Sequence, residues 1–352
     1  MLTSILAAFE PLKKTESTLS FGSGLINRTW KIETGSGSFI LQRINQNVFK
    51  HPEHIANNIE MLGNYLQEFD PSYFFVKPVP TIDRKQLFKD EELGYFRLFP
   101  FVHGSYTRGS VNSILQASEA AAQFGKFTKL LNNFNANKLH ITIPDFHNLG
   151  LRYQELITSI ESAPAERLTV AHDLVEYLVK QHSIVDTYEK ILISPSFQIR
   201  VMHHDTKISN VLFDENDKGL CVIDLDTVMP GYFISDLGDM IRTYLSPADE
   251  EEKDFSKINI RDDYFIAIIK GYLAELGEVL TKEEKTHLVY AGKFMIYMQA
   301  LRFLSDYLNN DIYYGQKYEG QNLIRAENQA TLLQRLIEKE AEYQQLLLSI
   351  VN

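Results

Sequence analysis

Four polar residues at fixed spacing carry the chemistry that the sequence indicates: Asp205, Lys207, Asn210 and Asp224. The first three lie in the run HHDTKISN, and the fourth lies in VIDLD. A carboxylate can orient an acceptor hydroxyl, a cation can meet a phosphate in transfer, and an Asn with a second Asp can hold Mg²⁺. These residue types, in this order, indicate phosphoryl transfer from a metal-bound nucleotide.

Each polar cluster follows a short apolar run, Gln198–Met202 in one case and Leu220–Ile223 in the other. Such runs predict buried strands, and the residues just past a strand end lie on loops where rigid scaffolds place functional groups. We expect the two strands to be adjacent, so that their loops meet. Asp226, two residues after Asp224, either assists a second metal ion or caps the loop, and we favour the cap.

Both clusters resemble motifs of one superfamily. The run HHDTKISN resembles the HRDxKxxN catalytic loop of protein kinases, and IDLD resembles the metal loop of the aminoglycoside phosphotransferase and choline kinase branch. The alternative is structural: His204 and Asp205 form a capped turn, and Asn210 belongs to a hairpin. Agreement of four polar identities at fixed spacing favours the functional interpretation.

The composition is that of an ordinary globular chain. Its 352 residues are 44% hydrophobic and 23% charged, which is enough for two lobes with separate cores. A net charge of −11 argues against nucleic acid as a partner, because nucleic-acid binding needs a basic face.

The sequence also bears on the cellular compartment. The single cysteine, Cys221, lies in an apolar run and fits a buried side chain in a reducing compartment. Met1–Phe9 predicts a short amphipathic helix rather than a signal peptide, and no window approaches the roughly twenty apolar residues of a membrane span. We expect a cytoplasmic protein with no membrane partner.

The N-terminal stretch predicts strands at Thr18–Phe21, Leu25–Glu33 and Phe39–Ile44, joined by glycine turns. The first turn contains Gly22, Ser23 and Gly24 and nearly matches GxGxxG. A strand follows it, which disfavours a dinucleotide fold and suits a kinase-type loop over nucleotide phosphates. A tight hairpin would need the same glycines.

The third strand should carry the cation that contacts the nucleotide phosphates. The expected position holds Gln42, with Arg43 next to it, and only one of the two can serve because strand neighbours point to opposite faces. A helix over Pro52–Phe69 follows. On it, Glu60 is either an ion-pair partner for such a cation or an exposed carboxylate.

Further strands at Phe74–Thr81 and Glu92–Leu98 complete the predicted sheet, and Leu98–Gly104 has the composition of an interlobe connector. By resemblance to kinases, the adenine edge would bind the backbone at Phe99, Phe101 and Val102. The expected fold is therefore α+β and protein-kinase-like: an N-terminal nucleotide-binding lobe at 1–99, a hinge at 100–104 and a larger, mainly helical C-terminal lobe at 105–352.

The remainder of the chain is predicted to be helical on either side of the polar clusters. The predicted helices are Asn112–Phe134, Leu149–Ile160, Arg167–Leu192, Asp262–Leu276, Lys282–Asn309 and Leu323–Val351. The segment DLGDMIR resembles the DxGDxxR segment of small-molecule kinases, in which Asp236 would brace the catalytic loop. His147 reads as a hydrogen-bonded structural histidine.

Arg302 and Asp306 lie one helical turn apart and precede Tyr313 and Tyr314. One interpretation is a surface ion pair with aromatic residues that cover a helix end. The other is a sugar site, because planar donors and flat aromatic faces suit a polyhydroxylated ring. The sequence physics alone favours the ion pair.

Four stretches together resemble the N-acetylhexosamine 1-kinases, which use ATP and Mg²⁺ to phosphorylate the anomeric hydroxyl of N-acetylglucosamine or N-acetylgalactosamine. They are FILQRINQNVF, HxDTKxxNVLFD, CVIDLDTVMPG and RFLSDYLxxDxYY.

The resemblance implies a role for each matching residue. Asp205 would be the base, Lys207 would neutralise the γ-phosphate, Asn210 and Asp224 would hold magnesium, and Arg302 and Tyr313 would contact the sugar. The sequence departs from the family at Leu25, where a histidine is expected.

The sequence therefore predicts a sugar 1-kinase. A kinase for another acceptor, such as another sugar, an aminoglycoside or an amino alcohol, is the alternative within enzymes. A pseudokinase that binds nucleotide without turnover is the alternative outside them, motivated by Gln42 at the cation position.

Overall fold

A five-stranded antiparallel sheet forms the N-terminal part of the protein. The computed structural model describes residues 3–22 and 26–351. The strands are β1 (Thr15–Ser20), β2 (Arg28–Thr34), β3 (Gly37–Arg43), β4 (Phe88–Asp90) and β5 (Gly94–Pro100), in the order β1-β2-β3-β5-β4. A short helix, α1 (Thr3–Ala7), and a 3-10 turn at Glu10–Lys14 precede the sheet.

The alternation of side chains along these strands separates a core face from an open face. On the core face, Ile32, Leu41, Phe96 and Leu98 pack with Ile5, Phe9 and Leu12 from the N-terminal helix and turn. Because successive residues of a strand point to opposite sides, Gln42 and Arg97 lie on the other face. That face looks into the cleft between the sheet and the rest of the protein.

The prediction of a strand at Phe74–Thr81 is wrong. Only Val79 forms an isolated bridge, to Leu98. Pro78 and Pro80 flank Val79, and prolines cannot donate to a strand ladder. The missing fifth strand is supplied instead by β4, whose three residues are too few to show a period.

The helix α2 (Pro52–Phe69) has the predicted bounds and begins with Pro52 in its first turn. Its buried face joins the hydrophobic cluster of the C-terminal helices. Asn58, fully buried on this face, donates to the carbonyls of His140 (2.9 Å) and Val228 (3.1 Å) and accepts from the His140 amide (2.8 Å). Packing and hydrogen bonds therefore fix α2 to the larger part of the molecule.

Ten further helices make up most of residues 105–351: α3 (Ile114–Leu130), α4 (Leu149–Ser162), α5 (Ala165–Val170), α6 (His172–Lys180), α7 (Ser183–Ile193), α8 (Phe233–Tyr244), α9 (Asp262–Leu276), α10 (Lys282–Thr286), α11 (Leu288–Leu308) and α12 (Gln321–Val351). Ser113 caps α3 by accepting from the Gln116 amide (3.1 Å). Helix α11 is buried along almost its whole length, as expected of a central helix that is apolar all round.

Two predicted helices are divided in the structure. The stretch 167–192 forms parts of α5, α6 and α7, and the stretch 282–309 divides at His287. None of the three breaks coincides with a glycine or a proline, so the apolar periodicity runs through all of them and could not reveal them.

Two small hairpins carry the polar clusters. Strand β6 (Arg200–Met202) pairs with β9 (Met229–Gly231), and β7 (Val211–Phe213) pairs with β8 (Gly219–Val222). The strands that precede the two clusters, β6 and β8, are therefore in different sheets and are not adjacent, contrary to expectation. The loops nevertheless meet, because β9 returns the chain to β6 directly after the second cluster.

The structure confirms the α+β arrangement of a small antiparallel sheet followed by a larger helical part. The lobe boundaries at 99 and 104 stay a prediction. Within residues 3–22 and 26–351, no helix is both long enough and apolar enough to cross a membrane.

Candidate active site

A buried carboxylate holds the loop around Asp205 in place. Asp236, on α8, accepts hydrogen bonds from the backbone amides of His203 (2.9 Å) and His204 (2.8 Å). Asp239, one turn later, accepts from the Thr206 amide (2.9 Å). Burial raises the pKa of Asp236 to about 7, although the two N–H donors oppose that shift. The geometry matches the bracing role expected of Asp236.

His203 connects the two polar loops. Its Nε2 lies 2.9 Å from the carbonyl of Ile223, and its Nδ1 lies 3.4 Å from the Asp205 amide. These partners require Nε2 to carry the proton and Nδ1 to accept. Burial lowers the pKa of His203, which keeps the ring neutral and able to make both contacts. The sequence analysis did not assign His203 a role in joining the two loops. The local indication was a histidine at the end of an apolar strand.

Asp205 is held from both sides at the floor of the cleft. The Nδ2 of Asn210 donates to its carboxylate (3.1 Å) and to its backbone carbonyl (2.8 Å). The Nζ of Lys207 lies 3.2 Å from its other carboxylate oxygen, and the Asp205 charge raises the pKa of Lys207. The side chain of Asp205 is 23% exposed, so it is oriented and still accessible to an acceptor.

The second loop brings two more carboxylates to the same place. Asp224 adopts a left-handed conformation (φ 60°) that turns its side chain into the cleft. Its pKa is raised to about 7, first by enclosure at the cleft floor and then by the charges of Asp226 and Asp205. The Ile223 amide donates to the Asn210 carbonyl (2.9 Å), which joins the backbones of the two polar loops. Asp205 is paired with Lys207 and Asp226 with Arg97, so among the described residues Asp224 is the one of these three carboxylates without a cationic partner.

On the sheet side of the cleft, the third strand presents Gln42 and not Arg43. Gln42 lines the cleft, while the adjacent Arg43 points to the opposite face. Glu60 is exposed and accepts a hydrogen bond from Gln86 (3.2 Å). Of the two interpretations of Glu60, the exposed surface carboxylate is therefore the one that the structure supports. The cation that does reach the cleft from the sheet is Arg97, which the sequence did not single out.

The described residues at either end of the glycine turn, Gly22 and Asn27, line this cleft. Gly22 has a left-handed φ of +78° and lines the cleft, whereas Ser23, Gly24 and Leu25 fall outside the described residues. Asn27, at the end of the loop, donates to Asp226 (2.8 Å) and so connects the sheet to the second polar loop.

The connector residues Phe99, Phe101 and Val102 all line the cleft. The Phe101 amide donates to Ser38 (3.0 Å) and is already used within the sheet. In the described part of the chain the Val102 amide has no acceptor, so it is the available backbone donor. The Phe101 ring contacts Phe21 edge-to-face, with centroids 6.0 Å apart.

Arg302 and Asp306 do not form the expected ion pair. Asp306 accepts from the backbone amides of Tyr313 (2.7 Å) and Tyr314 (2.9 Å) and thereby fixes the loop after α11. Arg302 donates to Gln299 (3.1 Å), and its guanidinium lies over the Tyr314 ring at 5.6 Å. The turn at 309–314 brings backbone donors to Asp306, and these replace the helical neighbour as its partners.

One cleft of about 2810 Å³ is lined by Asp205, Asn210, Asp224, Arg97 and Arg302, and it is large enough for a nucleotide together with a second small molecule. Tyr313 stands at its mouth and is 74% exposed. His147 lies beside the catalytic loop, 3.2 Å from Nδ1 of His204, which agrees with a hydrogen-bonded structural role.

Comparisons with known proteins agree with this geometry. The phosphotransferase enzyme family matches residues 17–267. Similar solved structures include an aminoglycoside phosphotransferase from Alicyclobacillus acidocaldarius (12% identity, 97% of this chain and 95% of that one, TM-score 0.66). Another is a microcompartment-associated aminopropanol kinase (15% identity, 96% of each chain, TM-score 0.63).

A third similar structure is a spectinomycin phosphotransferase in complex with ADP and spectinomycin (14% identity, 92% of each chain, TM-score 0.56). At these identities the structures establish a shared fold. The family match spans the sheet, the connector and both polar loops, so this chain belongs to the phosphotransferase enzyme family and is a small-molecule kinase of the aminoglycoside phosphotransferase type.

Proposed function

We propose that this protein transfers the γ-phosphate of ATP, with Mg²⁺, to the anomeric hydroxyl of an N-acetylhexosamine. The observation that carries the choice of acceptor is Arg302, a cation that forms no ion pair with any carboxylate in the described part of the chain and that lies over the aromatic rings of the cleft. The cytoplasm, which supplies ATP and a reducing environment, is the proposed location.

The residues at the second polar loop fit magnesium. Asp224 offers a carboxylate, and Asn210 offers its amide oxygen, since only its Nδ2 is engaged by Asp205. Among residues 3–22 and 26–351, no three His, Cys, Asp or Glu side chains form a metal site by themselves. Magnesium bound here would share its coordination with nucleotide phosphates, as it commonly does, and would neutralise their charge.

Asp205 is placed to act on the acceptor. Its carboxylate is held by Lys207 and Asn210 and is open to the cleft, so it can accept the proton of a hydroxyl that approaches from the α11 side. Lys207, which stays protonated beside Asp205, is free at its outer side to meet the phosphate in transfer. Positioning and charge neutralisation supply most of the rate enhancement in such reactions.

The acceptor side of the cleft disfavours a cationic substrate. Three of the carboxylates that line it are already engaged: Asp239 by Arg242 (3.0 Å), Glu250 by Arg242 (3.2 Å), and Asp306 by backbone amides. Arg302 lies within 6 Å of the Phe146 and Tyr314 ring centroids, the faces on which a quaternary amine would stack.

A neutral sugar avoids both problems. Its hydroxyl and acetamido oxygens accept hydrogen bonds from Arg302, and its apolar face can lie against Tyr313 or Tyr314. An amino alcohol or an aminoglycoside would bring a positive charge close to an unneutralised guanidinium. The same reasoning leaves another neutral sugar as the second candidate.

The test is a phosphate-transfer screen with ATP and Mg²⁺ over N-acetylglucosamine, N-acetylgalactosamine, glucose, galactose, choline and an aminoglycoside. We expect transfer to an N-acetylhexosamine and a product that no longer reduces an alkaline copper reagent, because phosphate blocks the anomeric carbon. Preferred transfer to choline or to the aminoglycoside would overturn the proposed acceptor. Binding of ATP without transfer to any acceptor would favour the pseudokinase.

A further inference from the structure

On the sheet side of the cleft, the buried cation Arg97 is held by an amide side chain and by a carboxylate from the second polar loop. Arg97, on β5, is 2% exposed. Its Nε donates to the Oε1 of Gln42 (3.0 Å), its Nη1 contacts the carboxylate of Asp226, and its guanidinium lies 5.1 Å from the Phe99 ring centroid. We propose that Arg97 is the residue that binds the nucleotide phosphates, and that Gln42 and Asp226 position it. This inference rests on the proposed function.

The strand register supports this assignment. In the β3–β5 pair, Gln42 lies directly opposite Arg97, and both side chains are on the cleft face. A cation on β5 can therefore reach the space that a cation at position 42 would occupy. Among the described residues of the sheet that line the cleft, Arg97 is the one with a positive charge.

The role of Gln42 then has a physical explanation. Its Oε1 accepts from Arg97, and its Nε2 donates to the Thr29 hydroxyl (3.3 Å). A side chain with both an acceptor and a donor can orient the guanidinium in this way, whereas a lysine at position 42 would repel it. The departure at position 42 and the arginine at position 97 are two parts of one arrangement.

Asp226 supplies the second constraint. Its carboxylate contacts Arg97 and accepts from Asn27 (2.8 Å), so it holds both groups against the loop that carries Asp224. Phosphates bound next to Asp224 would lie near the guanidinium, because both Asp224 and Arg97 line the cleft. In the part of the chain that the structure describes, no residue accepts a hydrogen bond from Nη2 of Arg97, which leaves that donor for an incoming oxygen.

The experiment compares Arg97→Gln with Arg43→Gln, which removes a cation from the same sheet but from the face directed away from the cleft. Dissociation constants for ADP and adenosine are measured by titration calorimetry with Mg²⁺ present. Loss of a charge-assisted hydrogen bond of about 1.5–3 kcal/mol corresponds to roughly 10–150-fold weaker ADP binding. We expect that loss for ADP only, with adenosine within about twofold and Arg43→Gln like the wild type.

Other outcomes overturn the assignment. If ADP and adenosine weaken equally, Arg97 acts on the fold of the cleft and not on phosphate. If ADP affinity stays within twofold, Arg97 does not contact phosphate. Wild-type protein that binds no ADP contradicts the proposed function itself, whereas wild-type binding with an unaffected Arg97→Gln contradicts only this inference.

A second variant covers the case in which Arg97→Gln fails to fold because it leaves Asp226 buried without its partner. The double variant Gln42→Lys/Arg97→Gln returns a cation to the cleft from the neighbouring strand, next to the same carboxylate. We expect it to fold and to bind ADP more tightly, by about tenfold or more, than Arg97→Gln/Asp226→Asn, which has no cation there. Equal ADP affinity of these two double variants would overturn the inference.

Discussion

Replacement of Asp205 by asparagine removes the proposed base with almost no change of shape. General-base catalysis contributes about 10²–10⁴-fold to the rate. The carboxylate of Asp205 is oriented from both sides, by Lys207 (3.2 Å) and Asn210 (3.1 Å), and is only 23% exposed. We therefore expect kcat to fall about 10³-fold for Asp205→Asn, a rise of about 4 kcal/mol in the barrier.

The same variant should leave folding and nucleotide binding nearly intact. Asparagine can still accept from Asn210, and the contact it loses is to Lys207, which is 51% exposed. Such a contact is worth at most about 1 kcal/mol, or roughly 1.5 °C in Tm for a chain of this size. The dissociation constant for ADP should stay within about twofold, because the proposed role of Asp205 is toward the acceptor and not toward the nucleotide.

The assay is single-turnover transfer of labelled phosphate to the sugar found in the acceptor screen. Asp173→Asn makes the same chemical change at a fully exposed helix start and should keep wild-type kcat. A kcat above about a tenth of the wild-type value for Asp205→Asn, in protein with an unchanged Tm, would refute the base role.

Three further perturbations address the surroundings of the site. Glu284→Gln removes the charge that pairs with buried Arg200 (2.6 Å), which should lower the free energy of unfolding by about 3–5 kcal/mol. Thermal unfolding should then show a Tm about 4–7 °C lower. An unchanged Tm would contradict a stabilising ion pair. The pKa of Asp224 is raised to about 7, and metal binding needs its ionised form. The affinity for Mg²⁺·ADP, measured by calorimetry, should therefore fall as the pH drops below about 7, by up to tenfold per pH unit. An affinity that does not change from pH 8 to 6 would exclude Asp224 as a metal ligand. Asp306→Asn places an amide donor against a backbone N–H of the Tyr313 loop. Steady-state kinetics should show the acceptor KM raised about 5–100-fold, with the KM for ATP unchanged. Equal effects on the two KM values would argue against a role of this loop in acceptor binding.

The sequence was most informative where the chemistry and its scaffold are local. Asp205, Lys207 and Asn210 lie within six consecutive residues, and the structure places them together. Helices α2 and α9 match their predicted bounds because their apolar periodicity is uninterrupted. The role of Asp236 in holding the loop around Asp205 was expected from the resemblance of another local stretch, DLGDMIR.

Long-range features could not be predicted in the same way. The partnership of Arg97 with Gln42 depends on a strand register between positions 55 residues apart. Its only local signal was an arginine inside the apolar run YFRLF, which a buried partner would explain. The Asp306 contacts were missed because the helical spacing to Arg302 offered a nearer partner than a backbone turn that the sequence does not reveal.

The attachment of α2 has a consequence for how the cleft can open. Asn58 makes three hydrogen bonds to the larger part of the protein, and withdrawal of a buried amide from its partners costs about 1–3 kcal/mol for each group left unsatisfied. When a nucleotide enters, we therefore expect the five-stranded sheet to tilt, with bending at 44–51 and 100–104, while α2 keeps its position against the larger part of the protein. Since these contacts persist, the helix that flanks the cleft is expected to keep the same position in the open and the closed enzyme.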